Sequence, residues 1–135
     1  MQIRRLTVME REMSIWLNED YHAFNQMKAL KAIQETDHRI VKEFGDRDDE
    51  LISRSNTYEN KINTLETFII KRREKKEKMF MSLPSDVRAV MDMHYLAYKT
   101  LEETAEELNY HVSSVKRKHI AGLEQLCRGN TEWQK

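Results

Sequence analysis

The residues best suited to binding chemistry are two serines and three consecutive cations that lie close together: Ser113, Ser114, Lys116, Arg117 and Lys118. Hydroxyl and ammonium groups are common donors to the phosphates of nucleic acids. A guanidinium can also donate two parallel hydrogen bonds to the edge of a guanine base. The run therefore indicates a surface that contacts phosphates and base edges.

The rest of the sequence offers little for catalysis or for metal binding. No two histidines stand four residues apart and Cys127 is the only cysteine, so the usual spacings of metal ligands do not occur. The three glycines are too far apart to form a phosphate-binding loop. Four glutamates recur with a helical period and are interpreted as a solvated face: Glu102, Glu103, Glu106 and Glu107. We expect no enzymatic activity, no metal and no cofactor.

A short helix is predicted just before the cationic run. Thr100 and Glu103 have the spacing of a capping box, in which the hydroxyl accepts a backbone N–H and the carboxylate accepts the N–H of the capping residue. Asn109 tolerates the left-handed conformation that often ends a helix. The residues between them form one apolar stripe: Leu101, Ala105 and Leu108.

A second helix, predicted from about Val112 to Cys127, carries the cations and follows a turn of three residues. Its apolar positions are Val115, His119, Leu123 and Leu126. A third helix is expected to begin at Ser85, after Pro84, and to pack beneath the other two through Val87, Val90, Met91, His94 and Tyr95. We interpret His94 and His119 as core or boundary histidines. Together these helices predict a helix-turn-helix domain.

The span from Leu83 to Cys127 resembles the region-four DNA-binding domain of bacterial sigma factors. It is especially similar to the version in small phage and prophage late-transcription regulators of the ArpU and RinA type. The segments that carry the resemblance are LPSDVRAV, YLAYKTLEETAEELNY, SSVKRKH and AGLEQL. The resemblance implies that the helix starting near Val112 enters the major groove of DNA.

The resemblance also implies which residues meet the DNA. Three residues would face bases and three would face the backbone: Ser113, Ser114 and Arg117 the bases, and Thr100, Lys116 and Lys118 the backbone. His111 is a further DNA-binding position, and it stands where the family usually has the Ser or Thr that caps the recognition helix.

Gly122 stands where the family usually has Ala. A glycine inside a helix costs about 1 kcal/mol relative to alanine. The sequence pattern places Gly122 at the edge of the buried stripe, so we predict that Gly122→Ala stabilises the protein. The alternative is a tight contact with Met91 or Tyr95, in which case the added methyl would destabilise it.

The first 81 residues are predicted to form long helices. A short amphipathic helix is expected within residues 1–17. Asn18 is a residue type that often caps the start of a helix, and it predicts a helix over 19–44. This helix would end at Gly45. Its apolar stripe is narrow and interrupted by one charge: Phe24, Met27, Leu30, Ile33, Asp37, Ile40 and Phe44.

A second long helix is expected to be capped by Asp46 and to continue through the basic run of residues 71–78 toward Phe80. We interpret that run as a solvated linker, with a strut that contacts phosphates as the alternative. The seam of the helix is Leu51, Ser55, Tyr58, Ile62, Leu65 and Ile69. Two such arms of about 40 Å form a hairpin too thin to cover both seams, so we predict self-association. The residues expected to stay incompletely covered are Ile33, Ile40, Leu51, Ile62 and Leu65.

Composition agrees with an all-α protein. Among 135 residues, 34% are charged and only three are Gly and one is Pro, which favours long exposed helices. The predicted architecture is a coiled-coil-like hairpin over residues 1–81, a three-helix helix-turn-helix domain over 82–128 and a tail over 129–135. Lys and Arg total 23, as do Asp and Glu, so any affinity for DNA must come from segregated charge. No apolar run approaches the roughly 20 residues that span a bilayer, and we expect a cytoplasmic protein of a bacterial host cell.

The function expected from these features is sequence-specific DNA binding by a transcriptional regulator. Its partners would be double-stranded DNA and a second copy of the chain, with host RNA polymerase as a further partner that the resemblance allows. A protein-interaction or scaffold role is the first alternative. A small terminase subunit is the second, although that class usually places its helix-turn-helix before the oligomerisation helices.

Overall fold

The computed structural model describes residues 3–44 and 49–129, and within these ranges it is helical without strands. The predicted all-α class is confirmed. A π-helical segment, Asp92–Leu96, directly follows the third of five α-helices in the described ranges. These are α1 (Val8–Phe44), α2 (Asp49–Phe80), α3 (Ser85–Met91), α4 (Leu101–Leu108) and α5 (Val112–Gly129).

The first helix starts at a capping box that the sequence analysis missed. The backbone N–H of Glu10 donates to Thr7 Oγ1 at 3.1 Å, and the N–H of Thr7 donates to Glu10 Oε1 at 2.9 Å. From there α1 continues unbroken through Asn18. The predicted helix boundary at Asn18 is therefore wrong. Leu17 beside it is fully buried, and this packing outweighs the modest preference of asparagine for helix ends.

The chain forms two compact units. The two-helix unit is Asp20–Arg72, and the composite unit joins the residues up to Glu19 with those from Arg73 onward. The predicted division at residue 81 differs from these limits. The C-terminal turns of α2 and the N-terminal turns of α1 belong to the core of the composite unit, which includes Met13, Leu17, Met79, Phe80, Tyr95, Leu123 and Leu126.

In the two-helix unit, α1 and α2 run antiparallel. The amide of Gln34 donates to the carboxylate of Glu59 at 2.7 Å, and the guanidinium of Arg54 donates to both oxygens of Asp37, at 2.6 and 3.0 Å. Asp37 is the charge that interrupts the predicted stripe of α1, and the two hydrogen bonds from Arg54 compensate for its burial. The apolar centre of the unit consists of Ala23, Met27, Ile62 and Ile69.

The predicted seam of α2 is largely confirmed, and the coverage of the seam of α1 is incomplete. Ile33 and Ile40 remain 42% and 39% exposed. Ile62 is only 3% exposed, so the expectation that it stays uncovered is wrong, because α1 packs directly over it. Gly45, Asp46 and the side chain of Leu51 lie outside the described part of the chain.

The basic run at the end of α2 is not a solvated linker throughout. Lys76 is fully buried, and its ammonium donates to the backbone carbonyls of Leu17 and Tyr95. Arg73 donates to the carbonyl of Leu96 at 2.6 Å. These two cations hold the π-helical segment, where the change of helix type leaves carbonyls that need donors. None of the described helices combines the length and apolarity that crossing a bilayer requires.

Candidate nucleic-acid interface

The helix that precedes the cationic helix begins and ends as predicted. The N–H of Glu103 donates to Thr100 Oγ1 and the N–H of Thr100 donates to Glu103 Oε1, both at 3.0 Å. Thr100 is exposed and is the N-cap of α4. Asn109 ends the helix in the left-handed conformation, with φ of 57°. The four glutamates of α4 are exposed, which confirms the predicted solvated face: Glu102, Glu103, Glu106 and Glu107.

The turn between α4 and α5 consists of three residues, Asn109, Tyr110 and His111. The N–H of Tyr110 donates to the carbonyl of Ala105 at 2.9 Å, and the carbonyl of His111 accepts the N–H of Val115 at 3.1 Å. His111 therefore occupies the position that directly precedes α5. Its side chain is exposed and makes no hydrogen bond to any residue that the structure describes.

The buried stripe of α5 determines which residues face outward. The stripe consists of Val115, His119, Gly122, Leu123 and Leu126. At about 100° per residue, Arg117 lies on the side of the helix opposite this stripe, and Ser113 and Ser114 flank it within about 60°. Lys116 and Lys118 lie about 100° to either side of Arg117. One outward face thus presents a guanidinium and two hydroxyls, with an ammonium group at each margin.

The three cations differ in their surroundings. Within residues 3–44 and 49–129, the side chains of Arg117 and Lys116 make no hydrogen bond or ion pair, and Arg117 is exposed. Lys118 is engaged, because its Nζ lies 2.9 Å from Asp86 Oδ2 and 5.5 Å from the centroid of the Tyr110 ring. The hydrogen bond from Lys118 holds the pKa of Asp86 below its usual range. Arg117 is the cation most available to a ligand.

A buried hydrogen-bond chain fixes α5 against the rest of the composite unit. The Tyr95 hydroxyl lies 2.6 Å from Nε2 of His119 and 2.8 Å from the hydroxyl of Ser14. Burial, together with the nearby His94, lowers the pKa of His119 to about 4, so its imidazole is neutral near pH 7. His94 has its own partner, the carbonyl of Lys99 at 2.6 Å from Nδ1. The interpretation of both histidines as core or boundary residues agrees with these positions.

Ion pairs add a second attachment for α5. Arg4 donates to both carboxylate oxygens of Glu10 at 2.8 Å and to Glu124 of α5 at 3.1 Å. The hydrogen bonds from Arg4 lower the pKa of Glu10 to about 2, so this carboxylate stays charged over the physiological range. The segment before α1 is thereby linked to the C-terminal half of α5, away from its cationic first turns.

Gly122 is a close contact and not a tolerant surface position. A Cβ atom added there would lie 2.8 Å from Sδ and 2.9 Å from Cγ of Met91, whose side chain is fully buried. The prediction that Gly122→Ala is stabilising depended on free space for a methyl group, and in the structure the side chain of Met91 occupies that space. α3 thus approaches α5 closely at Gly122.

The structure thus brings the predicted DNA-binding residues to the start of α4, the turn and the first turns of α5. It also adds Asp86 and Tyr110, which sequence reasoning missed. Asp86 lies on α3, 32 residues before Lys118, and the local sequence gives no sign of this pairing. No group of three possible metal ligands occurs in the part of the chain that the structure describes.

No protein-family model, curated protein or solved structure matches the chain. The likeness to sigma-factor region four therefore depends on the residues and segments of this sequence alone.

Proposed function

We propose that the chain is a sequence-specific DNA-binding transcriptional regulator, in which α4 and α5 act as a helix-turn-helix and α5 is the recognition helix. The observation that carries the proposal is the guanidinium of Arg117, which lies on the outward face of α5 beside Ser113 and Ser114 and makes no hydrogen bond or ion pair with any residue that the structure describes. A recognition helix reads base edges with residues of its first turns, and arginine on guanine is the commonest specific contact.

Phosphate contacts complete the proposed interface. Lys116 lies at one margin of the outward face without an internal partner among the described residues, and Thr100 lies exposed at the start of α4. Contacts from such residues fix the register of a protein on the duplex and carry no sequence information. His111 and Lys118 belong to the same proposed set, at the turn and at the other margin.

The two-helix unit is proposed to join two copies of the chain as a helical hairpin. Ile33 and Ile40 stand seven residues apart on α1, which places them on one side of the helix, and both are exposed. A dimer would present two recognition helices to half-sites about one turn of DNA apart. The proposed setting is a bacterial host cell, where a phage-type regulator acts at promoters together with RNA polymerase and without enzymatic activity of its own.

Selection of binding sites by the full chain from a random duplex library tests the proposal. We expect enrichment of a defined sequence by the native chain. Arg117→Ala should remove the preference at the base pair it reads, since one bidentate contact contributes about 1 to 3 kcal/mol of discrimination. Arg39→Ala is the matched control, because it removes an exposed arginine from α1. Absence of any enriched sequence, or identical sites selected by Arg117→Ala, would contradict the proposal.

A further inference from the structure

Lys118 is held between a carboxylate and an aromatic ring. Its Nζ lies 2.9 Å from Asp86 Oδ2 and 5.5 Å from the centroid of the Tyr110 ring. These two residues come from different elements, Asp86 from the first turn of α3 and Tyr110 from the turn before α5. The ammonium is thus directed toward Asp86 and approached by the ring, at the margin of the outward face of α5.

The ion pair between Lys118 and Asp86 is accessible enough for Lys118 to exchange the carboxylate for another anion. The side chain of Lys118 is 24% exposed and that of Asp86 is 50% exposed, so solvent and a large ligand can reach the contact. An ion pair with this exposure contributes little to stability, because solvent screens it, so exchanging its acceptor costs little. A phosphodiester oxygen offers an ammonium the same charge and the same hydrogen bond as a carboxylate oxygen does.

We propose that the Asp86 carboxylate occupies the position on Lys118 that a DNA phosphate takes in the complex, so that Asp86 competes with DNA for this cation. The inference rests on the proposed DNA-binding function. Lys116 and Arg117 meet no such competitor among the described residues, so Lys118 is the one cation of the run whose DNA contact requires an exchange. Asp86 thereby weakens the affinity for DNA of any sequence and does not affect the base contact that is proposed for Arg117.

The competition predicts the direction of two substitutions. Asp86→Asn removes the competing charge and should tighten binding to any duplex about two- to fivefold, the range that an exposed ion pair corresponds to. Lys118→Gln should weaken binding to any duplex and reduce the slope of log affinity against log salt by about 1, because one phosphate contact is lost. Neither substitution should change which sequence is preferred.

The control separates loss of the pair from loss of a negative charge. Glu106→Gln removes one exposed carboxylate from α4, and the Glu106 side chain forms no ion pair within the described ranges. In the Lys118→Gln background, the gain from Asp86→Asn should shrink to that of Glu106→Gln. Thermal melts of the variants verify that each is folded under the binding conditions.

The experiment is a fluorescence titration of the full chain and its variants with a random-sequence duplex, repeated between about 50 and 200 mM salt. A larger gain for Asp86→Asn than for Glu106→Gln, abolished by Lys118→Gln, supports the exchange. An equal gain, weaker binding by Asp86→Asn, or an unchanged salt slope for Lys118→Gln would overturn it while leaving the DNA-binding proposal in place. Failure of the native chain to bind any duplex would overturn both.

Discussion

Gly122→Ala adds a methyl group at the point where α3 and α5 approach most closely. The new Cβ would lie 2.8 Å from Sδ, 2.9 Å from Cγ and 3.2 Å from Cε of Met91. Ordinary contacts between such atoms are about 3.5 to 4.0 Å, so Sδ of Met91, at 2.8 Å, would have to move by roughly 0.7 Å or more. Met91 is fully buried in the core of the composite unit, and its neighbours restrict that movement.

Two opposing effects determine the sign of the change. Replacing glycine with alanine inside a helix stabilises by about 1 kcal/mol, and forcing an extra methyl into a packed core destabilises by about 1 to 3 kcal/mol. We expect the overpacking to prevail, with a net destabilisation of about 1 kcal/mol. For a cooperative unit of this size, that corresponds to a fall in Tm of about 4 to 8 °C.

The change in Tm is measured by circular dichroism melts of four proteins: the native protein, Gly122→Ala, Met91→Ala and the double variant. Met91→Ala alone should cost about 2 to 5 kcal/mol. In its background the methyl at position 122 has space, so Gly122→Ala should become stabilising. Gly129→Ala is the matched control, since among the described residues beyond its own helical neighbours no atom lies within 4 Å of its added Cβ. A rise in Tm for Gly122→Ala alone, or the same effect in both backgrounds, would refute the reasoning.

Two further predictions concern pH and assembly. Because burial lowers the pKa of His119 to about 4 while the unfolded chain binds the proton near 6.5, the free energy of unfolding should fall between pH 6.5 and 4, by up to about 3 kcal/mol. Urea unfolding at several pH values in this range should show the fall, and His119→Gln should make the free energy of unfolding less dependent on pH. The same pH dependence in the native chain and in His119→Gln would contradict the assignment of the fall to His119. Replacing Ile33 and Ile40 together with glutamate should lower the sedimentation mass of the chain at tens of micromolar, and a native chain that already sediments as a monomer would exclude this interface.

Features set by residues a few positions apart were predictable from the sequence. The capping box of Thr100 and Glu103 needs only four residues in the correct order, and the left-handed Asn109 needs only its own tolerance for that conformation. The buried stripe of α5 followed from helical periodicity, which also places Arg117 on the opposite side. The same capping pattern at Thr7 and Glu10 was available in the sequence and was overlooked.

Features set by distant contacts were not predictable. Asn18 has the preferences of a helix cap, but burial of the adjacent Leu17 keeps it inside α1. Lys76 belongs by sequence to a solvated basic run, and only the fold brings it to the carbonyls of Leu17 and Tyr95. The close approach of Met91 to Gly122 was not predictable for the same reason, because periodicity locates a residue on a helix and does not measure its distance to the helix beside it.

We propose that α5 reads DNA bases through Arg117 and binds the DNA backbone through Lys116. This proposal is tested by measuring the affinity of the full chain for its selected site and for random duplex at the same salt concentration. Arg117→Ala should lower the ratio of the affinity for the selected site to that for random duplex, which corresponds to a loss of about 1 to 3 kcal/mol of discrimination. Lys116→Ala should weaken binding to both duplexes equally and leave this ratio unchanged. An equal loss on both duplexes for Arg117→Ala, or a changed affinity ratio for Lys116→Ala, would contradict this proposal.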